Sequence, residues 1–373
     1  MKITGAKIIP LKMPIRHEGH LGIGRIEDIR NVILYLYSDQ GLRGVGEASP
    51  WPVFGADQKS IVNHLQDILL PALMGKDPQD INSNMALMEQ ILYGASFARA
   101  AIDMALHDLV ARSLQIPLYR LLGGMVRDRM PLGVSIFAQN IHQELKEMES
   151  LIDRGIRVFK VKTGVLSPAE DRERIGQMKK YFGAEIDLRL DYNQALEPER
   201  ALKLVKEMEK SFNPTFIEQP VPREAVHHLA MIAREIDTPL MADESLFSIY
   251  DALSLVRHRA ADIFSIKLMK TGGLLGAKKI SSIGEAAGIP CYAGAMWESS
   301  AGIAASLHFS CSTVNVKYGS DYYIPYFLMK EDLVRDPLEL EDGFILLPKD
   351  APGLGVEIDP LMINKYSEGE IVI

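Results

Sequence analysis

The pattern of apolar and polar positions changes along the chain and separates two regions of different predicted structure. In the first region, short apolar runs precede helical stretches, and a tight Asp39-Gln40-Gly41 turn joins two of the runs. Runs joined by such a turn are typical of an antiparallel sheet. The strands are predicted at 1–10, 30–38 and 42–49, and helices are predicted at 57–74, 79–92 and 96–115. Strands followed by helices predict an α+β domain over residues 1–125.

From about residue 130 the pattern becomes an alternation of short apolar strands and polar, amphipathic helices. Eight strands are predicted, at 132–136, 158–163, 187–193, 215–220, 239–245, 262–268, 290–296 and 313–319. Repeated βα units indicate a parallel sheet, and eight of them in succession favour a closed barrel. We therefore expect an α/β protein with a barrel domain over residues 126–324. The less regular segment 325–373 is expected to return to the N-terminal domain.

Composition narrows the class of protein. The chain has 373 residues, of which 47% are hydrophobic and 24% charged, as in ordinary globular proteins. The net charge of −8 argues against a nucleic-acid partner, because phosphate binding needs clustered positive charge. Cys291 and Cys311 are too few for a disulfide framework, and no apolar run is long enough to cross a bilayer. With no secretory signal at the N-terminus, these features predict a cytoplasmic location and no membrane partner.

The predicted strand VFKVKTG, residues 158–164, combines apolar positions with two lysines. Lys160 and Lys162 are two residues apart, so both side chains point to the same face of the strand. Neighbouring ammonium groups lower each other's pKa, and partial burial lowers it further. A lysine whose pKa is brought toward neutrality can take a proton from carbon. The pair is therefore a candidate for acid/base chemistry, although a single Lys-x-Lys pair is more often a solvated strand end.

Acidic side chains stand late in the next three predicted strands. Asp191, Glu218 and Asp243 are separated by near-equal steps of one βα unit, and Lys267 follows at a similar interval. Because active sites of such barrels lie at the carboxyl ends of the strands, we expect these groups to meet at one mouth. Converging carboxylates need a cation, and oxygen ligands without His or Cys point to Mg²⁺ or Mn²⁺. A carboxylate substrate there would lose its α-proton to form an enolate that the metal and ammonium charges stabilise.

Taken together, these segments resemble the enolase superfamily in its muconate-lactonizing subgroup. The matching segments are FKVKTG, RLDYNQA, FIEQPV, MADES, IKLMKTGG and GAMWESSAG, with AAIDMALHDL and LLGG before them and PGLGVEID near the C-terminus. They span nearly the whole chain. The resemblance implies a modified (β/α)7β TIM barrel with an α+β capping domain, which is built from the N-terminal region and the C-terminal segment.

The resemblance also implies the role of each central residue. Asp191, Glu218 and Asp243 would bind Mg²⁺ or Mn²⁺. Lys162 would be the acid/base on one face of the substrate, and Lys267 would be its counterpart on the other face.

Further residues of the motifs would surround this centre. Lys160 would lie near the substrate carboxylate and help to lower the pKa of Lys162. Asn193 and Glu244 would lie next to the metal or just outside its ligands, and Asn193 would contact the substrate. Glu298 would bind the substrate, hold Lys267, or form a structural salt bridge, and the sequence leaves these three roles open.

Loops of the capping domain would determine which substrate binds. The two candidate loops are RHEGHLGIG, residues 16–24, and SPWPVFG, residues 49–55. The glycine spacing of the first loop predicts a flexible lid. The candidates in these loops to close over the substrate are His17, His20, Leu21, Trp51 and Phe54.

The leading hypothesis is an isomerase, namely a cycloisomerase of a muconate-like dicarboxylate. The alternatives on the same scaffold are a racemase or epimerase of N-acylated amino acids or dipeptides, and a dehydratase. The segment WES, which stands where dipeptide epimerases tend to carry Asp-x-Asp, weakens the dipeptide alternative. A non-catalytic barrel is disfavoured because every metal and lysine position is intact. The resemblance also implies a small carboxylate substrate and a homo-oligomer.

Overall fold

The computed structural model describes residues 1–21 and 24–373, with side chains described outside 17–25. The strands are β1 (Ile3–Pro10), β2 (Met13–Leu21), β3 (Gly24–Ile29), β4 (Val32–Ser38), β5 (Arg43–Ala48), β6 (Arg129–Pro131), β7 (Gly133–Ile136), β8 (Val158–Lys162), β9 (Asp187–Asp191), β10 (Ile217–Glu218), β11 (Leu240–Ala242), β12 (Ile263–Ile266), β13 (Cys291–Ala293), β14 (Val316–Ser320), β15 (Leu340–Glu341), β16 (Phe344–Leu346) and β17 (Ile371–Val372).

Helices connect most of these strands. The α-helices are α1 (Gln58–Asn63), α2 (Leu70–Leu73), α3 (Ile81–Ile91), α4 (Ser96–Ser113), α5 (Leu118–Leu121), α6 (Ile141–Ile152), α7 (Pro168–Phe182), α8 (Pro198–Phe212), α9 (Val226–Glu235), α10 (Ile249–His258), α11 (Leu268–Thr271), α12 (Leu274–Ala287), α13 (Ser300–Cys311) and α14 (Pro360–Tyr366). Short 3-10 helices lie at Pro52–Phe54 and Gly183–Glu185, and π-helical turns at His64–Leu69 and Ile324–Leu328. Among the described residues, no helix combines the length and the apolar character needed to cross a membrane.

The N-terminal region is built on an antiparallel sheet in the order β17-β1-β4-β5. In this sheet β17, from the C-terminus, pairs with β1 through Lys7 opposite Val372. The C-terminal residues therefore add a strand to the sheet of the N-terminal region. The division at 125/126 and 324/325 stays a prediction.

Helix α4 packs against β5 at unusually short range. A Cβ atom at Gly46 would lie 1.9 Å from the carbonyl oxygen of Ala101, and one at Gly44 would lie 2.1 Å from that of Ala105. The segment RGVGEA therefore needs glycine at two alternate positions, both on the face that meets the helix. These two glycines therefore allow the backbones of α4 and β5 to approach each other closely.

The barrel consists of eight parallel strands in the order β14-β13-β12-β11-β10-β9-β8-β7. A parallel bridge between Leu132 and Ser320 brings the two edge strands together. The eight strands lie where the alternation of apolar strands and polar helices predicts them, so the α/β barrel with a separate antiparallel domain is confirmed. The strands themselves are shorter than predicted, and β10 has two residues.

One element of the N-terminal region was predicted incorrectly. Strands β2 and β3 form an antiparallel hairpin, paired through Met13 with Ile29 and through Leu21 with Gly24. Sequence analysis treated the segment 16–24 as a loop because its polar and glycine residues hide the alternation. The buried side chains of Met13 and Ile29 supply the apolar face that the pattern lacks in the middle of the segment.

Candidate active site

The candidate residues lie at the carboxyl ends of five barrel strands. Across β8, β9 and β10, Lys162 is paired in register with Asp191, and Asp191 with Glu218. Asp243 comes directly after β11, and Lys267 directly after β12. The structure therefore brings together at one mouth the groups that the strand spacing predicted there.

Lys160 lies one step deeper in the barrel and is 3% exposed. Its ammonium nitrogen is 2.5 Å from Asp321 Oδ2, 2.9 Å from Glu218 Oε2 and 3.7 Å from Asp191 Oδ2. Burial lowers the pKa of Lys160, but the negative charges of these three carboxylates outweigh it and hold the pKa well above its usual range. The expectation that the lysine pair would depress this pKa is therefore wrong, because the carboxylates stand closer to Lys160 than the sequence could indicate.

Lys162 contacts the neighbouring strand and the turn that follows it. Its ammonium group donates to Asp191 Oδ2 at 2.6 Å and to Asn193 Oδ1 at 3.0 Å. The amide nitrogen of Asn193 in turn donates to Glu244 Oε1 at 3.1 Å. Asn193 therefore links the lysine to a further buried carboxylate, Glu244, whose pKa burial and the charge of Asp243 raise to about 7.

Two lysines hold Asp243. Lys267 donates to Asp243 Oδ2 at 2.7 Å, and Lys270 donates to Oδ1 at 2.5 Å and to the main-chain oxygen at 2.6 Å. Burial raises the pKa of Asp243, but the two ammonium groups together hold it far below its usual range. Sequence analysis missed Lys270, although it stands in the segment IKLMKTGG, because a buried lysine three residues after another has no local signal.

Of the three carboxylates Asp191, Glu218 and Asp243, Glu218 is the one whose oxygens receive no hydrogen bond from the described residues. It is fully buried, although Lys160 lies 2.9 Å from Oε2. Burial and the charges of Asp191 and Asp243 raise its pKa to about 8. A buried carboxylate in this condition is stabilised by a cation beside it. The residues present therefore fit a hard metal ion with oxygen ligands.

The three carboxylates are nevertheless not arranged as a finished metal cage. Within residues 1–21 and 24–373, no three Asp, Glu, His or Cys side chains are grouped so that they could hold a metal ion as they stand. The ammonium groups of Lys160, Lys162 and Lys267 pair with the carboxylate oxygens instead. Metal binding would therefore require these side chains to exchange their ammonium partners for the ion.

The cavity at the mouth lies between the barrel and the capping region. Lysines 160, 162 and 267 line the barrel side, and Trp51 and Phe54 line the capping side. The ring of Trp51 meets the edge of Trp297 with centroids 5.7 Å apart, and Lys267 Nζ lies 5.3 Å from the centre of the Phe54 ring. Trp51 and Phe54 therefore line the cavity, and their contact with a substrate stays a prediction. The side chains of His17, His20 and Leu21 lie outside the described residues.

Glu298 lies behind the cavity, where its side chain is completely buried. Its Oε2 accepts a hydrogen bond from the main-chain nitrogen of Met296 at 2.6 Å, and Oε1 has no hydrogen-bond partner among the described residues. Burial and the nearby charge of Glu47 raise its pKa to about 8. The ion pairs of the described chain join Lys267 to Asp243 rather than to Glu298.

Two further buried carboxylates were missed by sequence analysis. Asp321 follows β14, and its two oxygens bind Lys160 and the hydroxyl of Tyr292. It obeys the rule used for the other strands, so extending that rule to the eighth strand would have found it. Glu47, on β5, accepts hydrogen bonds from the main-chain nitrogens of Ser299 and Gly302 at the start of α13. No sequence pattern joins these distant segments.

Comparison with known proteins places the chain in a family. Residues 3–123 match the mandelate racemase/muconate lactonizing enzyme N-terminal domain, and residues 143–362 match the enolase C-terminal domain-like family. The chain belongs to the mandelate racemase/muconate lactonizing enzyme family. Members of this family are metal-dependent enzymes, and the muconate-lactonizing resemblance of the motifs is confirmed.

Individual relatives of the family extend over the whole chain. A chloromuconate cycloisomerase of Pseudomonas putida is 35% identical, over 98% of this chain and 99% of its own length. An L-Ala-D/L-Glu epimerase of Bacillus subtilis is 32% identical, over 95% and 97%. The crystal structure of a muconate lactonizing enzyme from Pseudomonas fluorescens, complexed with muconolactone, superposes with a TM-score of 0.95 at 28% identity, covering 98% and 99% of the two chains. These relatives are isomerases, as the chain was predicted to be.

Proposed function

We propose that the chain converts a muconate-like dicarboxylate into a lactone, by proton transfer at the carbon next to a carboxylate and with the help of a divalent cation. The observation that carries the proposal is the position of two lysines on opposite walls of one cavity. Lys162 ends β8 and Lys267 follows β12, which are four strands apart in an eight-stranded barrel. A planar substrate between them would present one face to each ammonium group.

The metal ligands we propose are Asp191, Glu218 and Asp243. Their oxygen donors, and the buried Glu218 oxygens that receive no hydrogen bond from the described residues, favour Mg²⁺ or Mn²⁺ over softer metals. When bound, such an ion supplies positive charge that stabilises a substrate carboxylate as it gains enolate character.

The lysines perform the proton chemistry in this proposal. One carboxylate oxygen of the substrate adds to a carbon of the conjugated double bond, and the electron pair of that bond moves toward the other carboxylate. The ammonium group of Lys162 then gives its proton to the α-carbon, which completes the lactone. Lys160 and Lys267 contribute positive charge beside the developing enolate.

The capping side of the cavity supports an apolar contact with the middle of the substrate. Trp51 and Phe54 offer ring faces and edges there, and both belong to the segment predicted to determine substrate choice. Asn193, which holds Lys162, is proposed to orient that lysine and contact the substrate, and Glu298 to support the wall behind it.

A second candidate function is racemisation or epimerisation of N-acylated amino acids or dipeptides. That reaction removes a proton on one face and returns it on the other, so it also needs a lysine on each side. The similarity to an L-Ala-D/L-Glu epimerase supports it. The carboxylate of Asp321 is not free to bind the ammonium group of a dipeptide substrate, because its two oxygens already bind Lys160 and Tyr292. Dehydration of a hydroxy acid is the remaining alternative.

The test is a panel of carboxylates incubated in deuterium oxide with Mg²⁺, with and without EDTA. Ring closure of cis,cis-muconate, lost with EDTA, is the expected result. Deuterium incorporation with inversion of an N-acylamino acid, without ring closure of muconate, would overturn the cycloisomerase proposal in favour of the racemase. No exchange and no ring closure in any member would overturn both proposals.

We also propose that the protein acts as a homo-oligomer in the cytoplasm, with a capping domain over residues 1–125, a barrel domain over 126–324 and a C-terminal segment over 325–373. Light scattering coupled to size-exclusion chromatography measures the first of these. A monomer at micromolar concentration would contradict it.

A further inference from the structure

A buried ionic cluster lies on the outside of the barrel, directly behind the proposed acid/base lysine. It consists of Glu144 on α6 and of Asp171 and Arg174 on α7, which we call the strand clamp. All three residues are at most 4% exposed. The proposed metal site and cavity include none of them, and sequence analysis singled out none of them.

The guanidinium group of Arg174 joins the two helices to the strand. Its Nε donates to both oxygens of Glu144, at 2.8 and 2.6 Å. Its Nη1 donates to the main-chain oxygen of Lys162 at 2.9 Å and to Asp171 Oδ1 at 3.2 Å. A planar guanidinium presents its donors in a rigid fork, so this set of partners restricts the position of each of them.

A second residue of the strand clamp, Asp171, binds the backbone two residues after Lys162. Asp171 Oδ2 accepts a hydrogen bond from the main-chain nitrogen of Gly164 at 2.7 Å. Between these two contacts, at Lys162 and Gly164, the main-chain nitrogen of Thr163 donates to the main-chain oxygen of Asp191 on β9. The backbone on both sides of Thr163 is therefore held from the outside by the clamp and from the side by the neighbouring strand.

The cluster contacts the backbone at and just after the end of β8. Strand β8 ends at Lys162, so the carbonyl group of Lys162 and the amide group of Gly164 lie at the edge of the ladder. Gly164 then turns with φ of +80°, which directs the chain toward α7. Without the clamp, the last strand residue could rotate about its backbone, and its side chain would move with it.

We propose that Arg174, anchored by Glu144 and Asp171, is a positioning residue that sets the direction in which Lys162 enters the cavity. The inference rests on the proposed role of Lys162 in proton transfer. Proton transfer requires the ammonium group to lie within hydrogen-bond reach of the carbon that receives its proton, and small misplacements of a reacting group reduce rates by up to about 100-fold. The clamp touches neither the metal ligands' side chains nor the substrate cavity, so it should affect the chemical step and not binding.

The variant that tests this is Arg174→Lys, which keeps a positive charge beside Glu144 but lacks the fork that also reaches the Lys162 carbonyl. We expect kcat to fall by about 100-fold, while KM and the calorimetric Kd for Mg²⁺ change by less than about two-fold. The matched control is Arg172→Lys on the same helix, where the exposed Arg172 pairs with Glu207 at 2.9 Å. The control should keep the wild-type kcat.

A second measurement reports on the clamp without any substrate. Hydrogen–deuterium exchange of the Gly164 amide should become faster in Arg174→Lys and in Asp171→Asn than in Arg172→Lys. Asp171→Asn removes one charge and keeps the side-chain shape, so it is the second variant to use if Arg174→Lys does not fold, and it should also lower kcat. Unchanged kcat and unchanged Gly164 exchange in a folded clamp variant would overturn the inference. A fall in kcat matched by an equal loss of Mg²⁺ affinity would overturn it as well, because the clamp would then act on the metal site.

Failure of the strand-clamp inference can be distinguished from failure of the proposed function. Lys162→Ala should be inactive whether or not the clamp matters, and the wild-type chain must turn over a member of the carboxylate panel. If it turns over none, the proposed function fails, while the exchange of the Gly164 amide still decides whether the clamp holds the strand end.

Discussion

Lys162 and Asp191 face each other across neighbouring barrel strands. Their Cα atoms are paired in the register of β8 and β9, and Lys162 Nζ lies 2.6 Å from Asp191 Oδ2. The proposed acid/base group therefore touches a proposed metal ligand directly. Substitutions at the lysine and at the carboxylates should separate the proton-transfer step from metal binding.

Replacing Lys162 by alanine should remove the proton-transfer step and leave the metal site in place. General acid/base groups contribute about 10²- to 10⁴-fold to a rate, so we expect kcat to fall at least 100-fold. Steady-state kinetics and Mg²⁺ calorimetry on the same preparation measure the two effects. Lys180→Ala, at an exposed position of α7, is the control. Retention of full activity by Lys162→Ala would show that another group moves the proton.

Replacing Asp243 by asparagine should weaken metal binding, because it removes one of three negative charges at nearly constant shape. We expect the Kd for Mg²⁺ to rise at least about ten-fold, in the range found when groups around metal sites are changed. Isothermal titration calorimetry measures it, and Asp237→Asn at an exposed position is the matched control. An unchanged Mg²⁺ affinity would exclude Asp243 from the ligand set.

Glu298 should make the stability of the protein depend on pH. Burial raises the pKa of Glu298 from 4.5 to about 8, so its carboxyl group is protonated in the folded state where the unfolded chain is ionised. The stabilisation is complete below about pH 4.5 and is lost as the pH rises toward 8, at up to about 1.4 kcal/mol per pH unit. Glu298→Gln should lack this decline.

The measurement is the free energy of unfolding by urea at several pH values between 5 and 8. The difference between Glu298→Gln and the wild-type protein should grow with pH in favour of the variant. Glu285→Gln, at an exposed position of α12, should follow the wild-type protein at every pH. A constant difference between Glu298→Gln and wild type would mean that the carboxyl group has the same protonation state in the folded and the unfolded chain over this pH range.

Two glycine-to-alanine substitutions should change stability in opposite directions. At Gly46 the new Cβ would lie 1.9 Å from the Ala101 carbonyl oxygen, so α4 must move away from β5, which should cost about 1–3 kcal/mol. At Gly176, within α7, the nearest atom is 3.7 Å away, in Phe212. Alanine there should stabilise the protein by up to about 1 kcal/mol through helix propensity. Chemical denaturation of both variants measures the two signs, and equal effects would contradict the close contact.

Most of the fold could be predicted because its signals are local. A parallel barrel strand is a short apolar run between polar helices, and that alternation is visible without knowledge of any distant contact. The hairpin of β2 and β3 escaped prediction because its polar and glycine residues interrupt the alternation. The candidate site was located by the same local rule, since Asp191, Glu218 and Asp243 all stand at strand ends.

What the sequence by itself determined about this protein is the order of its elements and the set of charged groups at the barrel mouth. Only the tertiary structure decided how those groups pair. Lys160 meets Asp321, 161 residues away, and Glu47 binds the start of a helix more than 250 residues later. Such contacts reverse the expected direction of the Lys160 pKa and attach Arg174 to the strand end behind Lys162. Electrostatic energies depend on distance in space, which a pattern along the chain does not contain.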